Sequence, residues 1–257
     1  MNHTQAKKPA QAVILAAGMG ARLKNLNEGK PKCLLEVGQR TLLDRHIEAA
    51  RLVGATRILV VAGYGFDQVA QAIPPDVALV YNKRFAETNS LYSLWLTRQW
   101  VTDSMLLING DVIADPRLYQ RVAQSPGNAL AYDSSSIGES EEMKVRLAEG
   151  RVTAISKDLS PDRMSGENVG ILKFSRKGAR KLLKAAGRLV DSGREQAWAP
   201  AAIDSATDHL SVAGVDVLDL AWTEIDFPED LTHARNHILP LIAGQFPDSN
   251  PSCTCNS

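Results

Sequence analysis

The chain has 257 residues, 44% of them hydrophobic, which is enough to bury one large core or one core with a small lobe, and its 29 Lys and Arg balance its 29 Asp and Glu. A balanced charge gives no broad basic face, which argues against nucleic acid as the main partner. Lys7 and Lys8 followed by the apolar residues 12–17 could pass for a signal peptide, but that run is too short, and no other segment approaches a membrane span.

In chain order, residues 13–15 (Val-Ile-Leu) form a short apolar run of the kind found in strands covered on both faces of a parallel sheet. Beyond a glycine- and lysine-bearing loop, Thr41 and Asp44 have capping-box spacing for a helix with Leu43, Ile47 and Ala50 on one face and Gly54 at its end. Residues 57–65, RILVVAGYG, read as a second buried strand that turns at glycine into a helix from about Phe66. A third strand is expected at 77–81, a helix at 91–100 and a fourth strand at 105–108, running into Asn109, Gly110 and Asp111. From about Ala129 shorter strands follow at 130–132, 144–147, 152–156 and 169–174, expected to extend the sheet and to form a small lobe over roughly 129–215. Helices at 177–190 and 197–206, strands at 210–215 and 221–225, and a helix opened by Pro228 with Glu229 and Asp230 behind it complete the pattern. This alternation predicts an α/β fold, doubly wound around a mostly parallel central sheet, as one domain over 11–245 between disordered ends at 1–10 and 246–257. Three cysteines, Cys33, Cys253 and Cys255, suggest no disulfide framework, and a reducing cytoplasm is the simplest home.

The chemistry begins at residues 13–32, VILAAGMGARLKNLNEGKPK, where the first strand breaks at Gly18 and Gly20 and Arg22, Lys24, Lys30 and Lys32 line a turn-rich loop. Glycines let the chain turn with positive φ and approach phosphate oxygens, and successive backbone N–H groups make an anion-binding concavity. The Rossmann fingerprint needs glycine where Leu23 stands, and no window supplies the Gly-Lys-Ser/Thr of a P-loop.

What fits is L-A-A-G-x-G-x-R-L over 15–23 followed by Pro31, Lys32, Cys33 and Leu34, and this resembles the NTP-transferase superfamily, the Rossmann-like nucleotidyltransferases that make nucleoside-diphosphate sugars and CDP-alcohols. Ala21 departs from the Ser or Thr usual there, which removes a hydroxyl contact to phosphate and leaves the backbone contacts. The resemblance implies a metal-binding aspartate at Asp111, just past a central strand, and another at Asp226, together holding Mg²⁺ against the α-phosphate. Read alone, Asp111 suits a turn and Asp226 a helix N-cap. The implied reaction is attack by an anionic acceptor oxygen on the α-phosphorus of an NTP, with Arg22 gripping the β- and γ-phosphates and Lys32 bridging the α-phosphate and the acceptor. No catalytic base is needed, and the scattered histidines receive no role, His46 being expected on a helix surface and His237 near the last helix.

Residues 81–96, YNKRFAETNSLYSLWL, look like the N-x-Y-S-L segment of bacterial phosphocholine cytidylyltransferases and of related enzymes that activate small phosphonates with CTP. That likeness implies base and ribose contacts from Asn82, Thr88, Asn89 and Ser90, with Leu15, Ala16, Ala17, Gly18, Gly20 and Gly63 completing the nucleotide site; Asn89 also suits a helix N-cap. Glu142, Lys144, Arg146, Lys157 and Glu167 are acceptor candidates, the lysines suiting a small phosphonate, whereas a choline head group would want an aromatic such as Tyr132, Trp198 or Trp222. A CTP-dependent cytidylyltransferase acting on a small phosphonate or phosphocholine-like phosphomonoester is therefore expected, with a homodimer as the candidate assembly. The alternatives are a sugar-1-phosphate nucleotidyltransferase, which the 81–96 segment disfavours, a glycosyltransferase, which would want a D-x-D, and a nucleotide sensor, which would have lost one of Arg22, Lys32, Asp111 and Asp226.

Overall fold

The structure is a computed structural model that describes residues 8–23 and 29–244. The expectations for residues 1–7 and 246–257, and for Lys24, lie outside the described residues. Pro9 is buried, and Ala10 donates its N–H to Ser104 Oγ at 3.1 Å just ahead of the first strand.

The strands are β1 (Gln11–Ala16), β2 (Glu36–Val37), β3 (Arg40–Thr41), β4 (Arg57–Ala62), β5 (Ala78–Tyr81), β6 (Met105–Asn109), β7 (Val112–Ala114), β8 (Ala129–Asp133), β9 (Lys144–Ala148), β10 (Arg151–Ser156), β11 (Gly166–Phe174), β12 (Ala213–Asp216) and β13 (Trp222–Glu224). Among the described residues they form one nine-stranded sheet in the order β5-β4-β1-β6-β11-β8-β12-β10-β9, and two small pairs, β7 with β13 and β2 with β3. β5, β4, β1, β6, β8, β12 and β9 run one way, and only β11 and β10 run against them. The sheet is mostly parallel in direction, as the alternation of elements predicts.

β1 shows why the sheet is wound on both sides. All six of its residues are buried, and successive side chains point to opposite faces. Ala12, Ile14 and Ala16 join a core with Leu43 and Ile47 of α1 (Leu42–Leu52), Val69 of α2 (Phe66–Ala72) and Leu118 and Val122 of α4 (Pro116–Gln124). Val13 and Leu15 join the opposite core with Leu91 and Leu94 of α3 (Ser90–Leu96), Leu182 of α5 (Arg176–Asp191) and Ile203 of α6 (Pro200–Asp204). A third cluster packs Leu231 of α7 (Pro228–His233) and Ile242 of α8 (Leu239–Ile242) against Leu23, Leu35, Ile113 and Ile225. No described helix is long and apolar enough to cross a membrane.

Local signals account for most element boundaries. Thr41 and Asp44 make the expected reciprocal capping box on α1, and Pro228 opens α7 while Asp230 accepts the Phe227 N–H at 2.7 Å. Three findings differ from the sequence reading. α4 was not anticipated, although Asp115 caps it by accepting the Arg117 N–H at 2.8 Å and Pro116 occupies its first turn. The helix expected at 197–206 shrinks to α6, because Pro200 sets its start and turns follow Asp204. His46, expected on a helix surface, is fully buried beneath the sheet, with its Nδ1 2.9 Å from Tyr119 Oη.

Candidate active site

The parallel strands β1 and β6, together with β13, bring their carboxyl ends to one edge of the molecule, where open α/β sheets hold ligands. Beyond β1 the chain loops over residues 17–20, and the Leu23 N–H closes a tight turn onto the Gly20 carbonyl at 3.0 Å. Leu23 is fully buried in the third cluster, so it pins the loop and leaves Arg22 exposed above a cleft. Gly20 has a φ of 61°, as a left-handed turn requires. Gly18, expected to share that role, does not: its φ lies outside the left-handed region, and a Cβ there would meet nothing within 4 Å. Gly18 therefore contributes open space on the cleft wall.

Lys32 follows the buried Pro31 and opens a one-turn helix whose next residue, Cys33, is also buried, so its side chain projects toward the strand ends and is only 11% exposed. Its ammonium bridges Asp111 Oδ2 at 3.1 Å and Asp226 Oδ1. Burial opposes the charge on Lys32, but Asp111 and Asp226 outweigh it and hold the ammonium above the ordinary lysine range. Both aspartates are positioned by main-chain bonds. The Gly110 N–H reaches the Leu15 carbonyl at 2.9 Å, and the Ile225 N–H reaches the Asp111 carbonyl at 2.9 Å. A Cβ on Gly110 would lie 2.7 Å from that Leu15 oxygen, so only glycine permits this approach. The Asp226 N–H is bound by Asp230 Oδ2 at 2.8 Å.

Glu224 is a third carboxylate here that the sequence reading missed. Asp111, Glu224 and Asp226 each offer an oxygen, and the three oxygens lie within 4.8 Å of one another. The signal was strand alternation, since Glu224 and Asp226 lie two apart and face the cleft while Ile225 between them is fully buried. Asp111, burial and Asp226 together push the Glu224 carboxyl well above its ordinary range. Asp111 Oδ1 is buried without a hydrogen-bond partner. Three clustered carboxylates, one with an orphaned oxygen, form a donor set that suits a hard divalent cation such as Mg²⁺.

The cleft has a volume of about 360 Å³, and Leu15, Ala17, Gly18, Gly20, Arg22, Lys32, Asn82, Thr88, Asn89, Ser90, Asp111, Lys157 and Asp226 of the expected residues line it. Some of their polar atoms already serve the fold. Asn82 is 1% exposed; its Nδ2 donates to Thr88 Oγ1 at 3.2 Å and Ser93 Oγ at 3.1 Å, and its Oδ1 accepts from the Arg84 N–H. Asn89 Oδ1 caps α3 through the Ser90 N–H at 2.8 Å, and Ser90 Oγ accepts from the Ala199 N–H at 2.8 Å. Ala16 is buried in β1, and Gly63 lies behind the wall, where a Cβ would meet the Ala17 carbonyl at 2.6 Å.

The acceptor candidates divide. Lys157 reaches the cleft, whereas Glu142, Lys144 and Glu167 do not line it. Lys144 is buried and its ammonium is bound to the Lys157 carbonyl at 2.8 Å, while Glu142 accepts from Ser136 Oγ and the Glu139 N–H within its own loop. Glu167 is half-buried among Glu142, Asp133 and Glu139, and burial first, then these carboxylates, raises it to about 8. Arg146 lies against Thr153 on the neighbouring strand. Of the three aromatics considered, Trp198 lines the cleft, whereas Trp222 donates its indole N–H to Asp133 at 2.8 Å and Tyr132 is half-buried against the second core, beside Gly166 and Gly214. Glu141, Met143 and Asn168, absent from the sequence reading, complete this wall.

Known proteins resemble this chain in sequence and in fold. The bifunctional IPC transferase and DIPP synthase of Aquifex aeolicus is 26% identical over 234 residues, 89% of this chain and 51% of that protein. The CMP-5'-(3-aminopropyl)phosphonate synthase of Streptomyces rubellomurinus is 28% identical over 252 residues, 90% of this chain and 39% of that protein. The chain thus spans about half, or less, of the length of these curated relatives. The solved CTP:phosphocholine cytidylyltransferase of Streptococcus pneumoniae superposes with a TM-score of 0.72 at 22% identity, over 88% of this chain and 97% of that one, which shows a common fold. Residues 12–192, from β1 through the end of α5, match the MobA-like NTP transferase domain, and the chain belongs to that family.

Proposed function

We propose that the protein is a cytidylyltransferase that transfers CMP from CTP to an oxygen of a small phosphonate or phosphomonoester and releases pyrophosphate. The observation that carries this reading is the Lys32 ammonium held between Asp111 and Asp226 at the strand edge, facing the same cleft as the Gly18–Gly20 loop. Cytidine rather than another base is supported by the 81–96 segment and by what the relatives are named for.

The acceptor oxygen is anionic at neutral pH and attacks the α-phosphorus without a base. A new P–O bond forms, the bond to the β-phosphate's bridging oxygen breaks, and pyrophosphate leaves with the electron pair. The work of the chain is to align two anions and offset their charge. Arg22 and the N–H groups of residues 17–20 grip the β- and γ-phosphates. Lys32, kept charged by its aspartates, donates to the α-phosphoryl group and the incoming oxygen. Asn89 caps α3 with its carbonyl, which leaves its amide NH₂ for the base. Asp111, Glu224 and Asp226 would hold Mg²⁺, whose contribution when bound is to polarise a phosphoryl oxygen. On the same reading the enzyme works in the cytoplasm, where CTP is made.

One observation favours a phosphocholine-like acceptor as the second reading: Trp198, 46% exposed on the cleft wall, already carries an ammonium, that of Lys157, 4.9 Å above its ring. The test is pyrophosphate release with each NTP, Mg²⁺ and a panel of phosphonates, phosphocholine and sugar 1-phosphates. CTP with a phosphonate or phosphocholine is expected to give the fastest release; release with sugar 1-phosphates alone would overturn the proposal.

A further inference from the structure

Phe85 lines the cleft from within the 81–96 segment, half-buried, and with Trp198 it supplies the aromatic side chains of that lining among the described residues. Its place is set by the backbone. The Phe85 N–H donates to the Asn82 carbonyl at 3.2 Å, and the Glu87 and Thr88 N–H groups both donate to the Arg84 carbonyl at 3.0 Å, which folds the chain into a tight turn. The ring shares this turn with Asn82 and Thr88, in the part of the wall to which the nucleotide reading gives the base.

The chain after β4 is shaped to hold this ring. Phe85 packs so closely on Gly63 that a Cβ there would lie 2.4 Å from Phe85 Cβ and 2.9 Å from its Cγ. Tyr64 meets the ring edge to face, with centroids 6.3 Å apart and planes at 69°. Tyr64 is itself tied down at both ends, its N–H on the Ala17 carbonyl and its Oη on the Gly29 carbonyl, each at 3.3 Å. Phe85 is thus a fixed wall, anchored through Tyr64 to the residue that leads into the glycine loop. A phenyl ring carries no hydrogen-bonding atom, and its π-face stacks on any base, so it cannot read a base edge. What a fixed ring can impose is size.

We propose that Phe85 is the size gate of the base site, a ring held in place by Gly63 and Tyr64 that admits a one-ring base and turns away a purine. This rests on the cytidylyltransferase reading and divides base selection in two. Phe85 sets the size, and the polar groups near it, the Asn89 amide among them, are left to tell cytosine from uracil.

The test is calorimetric titration of the full chain with CTP, UTP, ATP and GTP, each with Mg²⁺ and without acceptor, comparing the unchanged protein with Phe85→Ala and Phe85→Leu. The unchanged protein is expected to bind CTP more tightly than either purine nucleotide. Phe85→Ala should bring ATP and GTP closer to CTP by on the order of tenfold, the scale on which an apolar pocket sorts ligands by size, with the CTP-to-UTP ratio unchanged. Phe85→Leu keeps an apolar filler over Gly63, should move the purine ratio the same way by less, and carries the test if the alanine variant does not fold. Equal weakening of all four nucleotides, which a purely structural ring predicts, overturns the proposal, as does an unchanged purine-to-CTP ratio or a CTP-to-UTP ratio that moves as far. Purine binding as tight as CTP binding in the unchanged protein removes the gate and leaves nucleotidyl transfer standing. Binding of no nucleotide removes the cytidylyl reading and the gate with it.

Discussion

The two halves of the sheet use charged residues in different ways. In the parallel half, β1 and β6 end at the same edge, and each hands the next residues, Gly18 to Arg22 and Asp111, to the cleft. In the half beyond β11, every pair except β8 with β12 is antiparallel, hairpins bring side chains against their own partners, and Lys144 and Glu142 are consumed by local bonds. A charge just past a parallel strand therefore serves the site by default, whereas a charge in an antiparallel hairpin serves the fold until a loop carries it out, as happens with Glu141 and Lys157.

Five substitutions and one pH series probe this contrast, from the largest effect to the smallest. Lys32→Met should cut kcat by roughly two to three orders of magnitude, the scale for losing one group aimed at developing charge, while far-UV circular dichroism stays unchanged; retention of near-full turnover would refute the role of the parallel edge. Glu224→Gln should weaken Mn²⁺ or Mg²⁺ binding about tenfold or more through loss of a charged oxygen donor, read by metal titration. Equal affinity would remove Glu224 from the site. Lys144→Met and Lys157→Met should part ways. The first strands the Lys157 carbonyl and should cost about 1–2 kcal/mol of stability in urea with the acceptor KM unchanged. The second should raise that KM several-fold, the scale of one partly screened charge contact, with the urea midpoint unchanged. The reverse pattern would erase the distinction between the halves.

The smallest effect belongs to His46, buried under the parallel half. Burial first, and then Arg45, lower its pKa to about 4, with Asp111 opposing. The unfolded chain takes up this proton near the ordinary value of about 6.5, and the folded imidazole does not. Stability from this group is complete above that value and falls as pH drops from there toward 4. Thermal scans from pH 7 to pH 5 should show that fall, and His46→Leu should flatten it while losing the Tyr119 hydrogen bond. An unaltered pH slope in the variant would exclude His46 as its source.

Sequence reading did best where one rule decided one position. The β1 run and the glycine turn follow from strand and turn chemistry, Lys32 after Pro31 and the two aspartates from the family resemblance, and they converge in space. Glu224 was legible by alternation with Asp226, but strand β13 is only three residues long, too short for the period of two to stand out. Glu141 was not legible, because which of two adjacent glutamates faces the cleft depends on the bond from Ser136 to Glu142. α4 escaped because its apolar positions follow so closely on β7 that the two run together in sequence.

Gly110 carries a consequence for how such a site can change. Its amide rests on the Leu15 carbonyl, so the end of β1 and the residue before Asp111 share one hydrogen bond. The spacing between these two strand ends is thus a property of the backbone, insulated from side-chain replacement. Replacements on the far wall of the cleft, at Glu141, Met143, Asn168 or Trp198, therefore leave the separation of these two strand ends untouched.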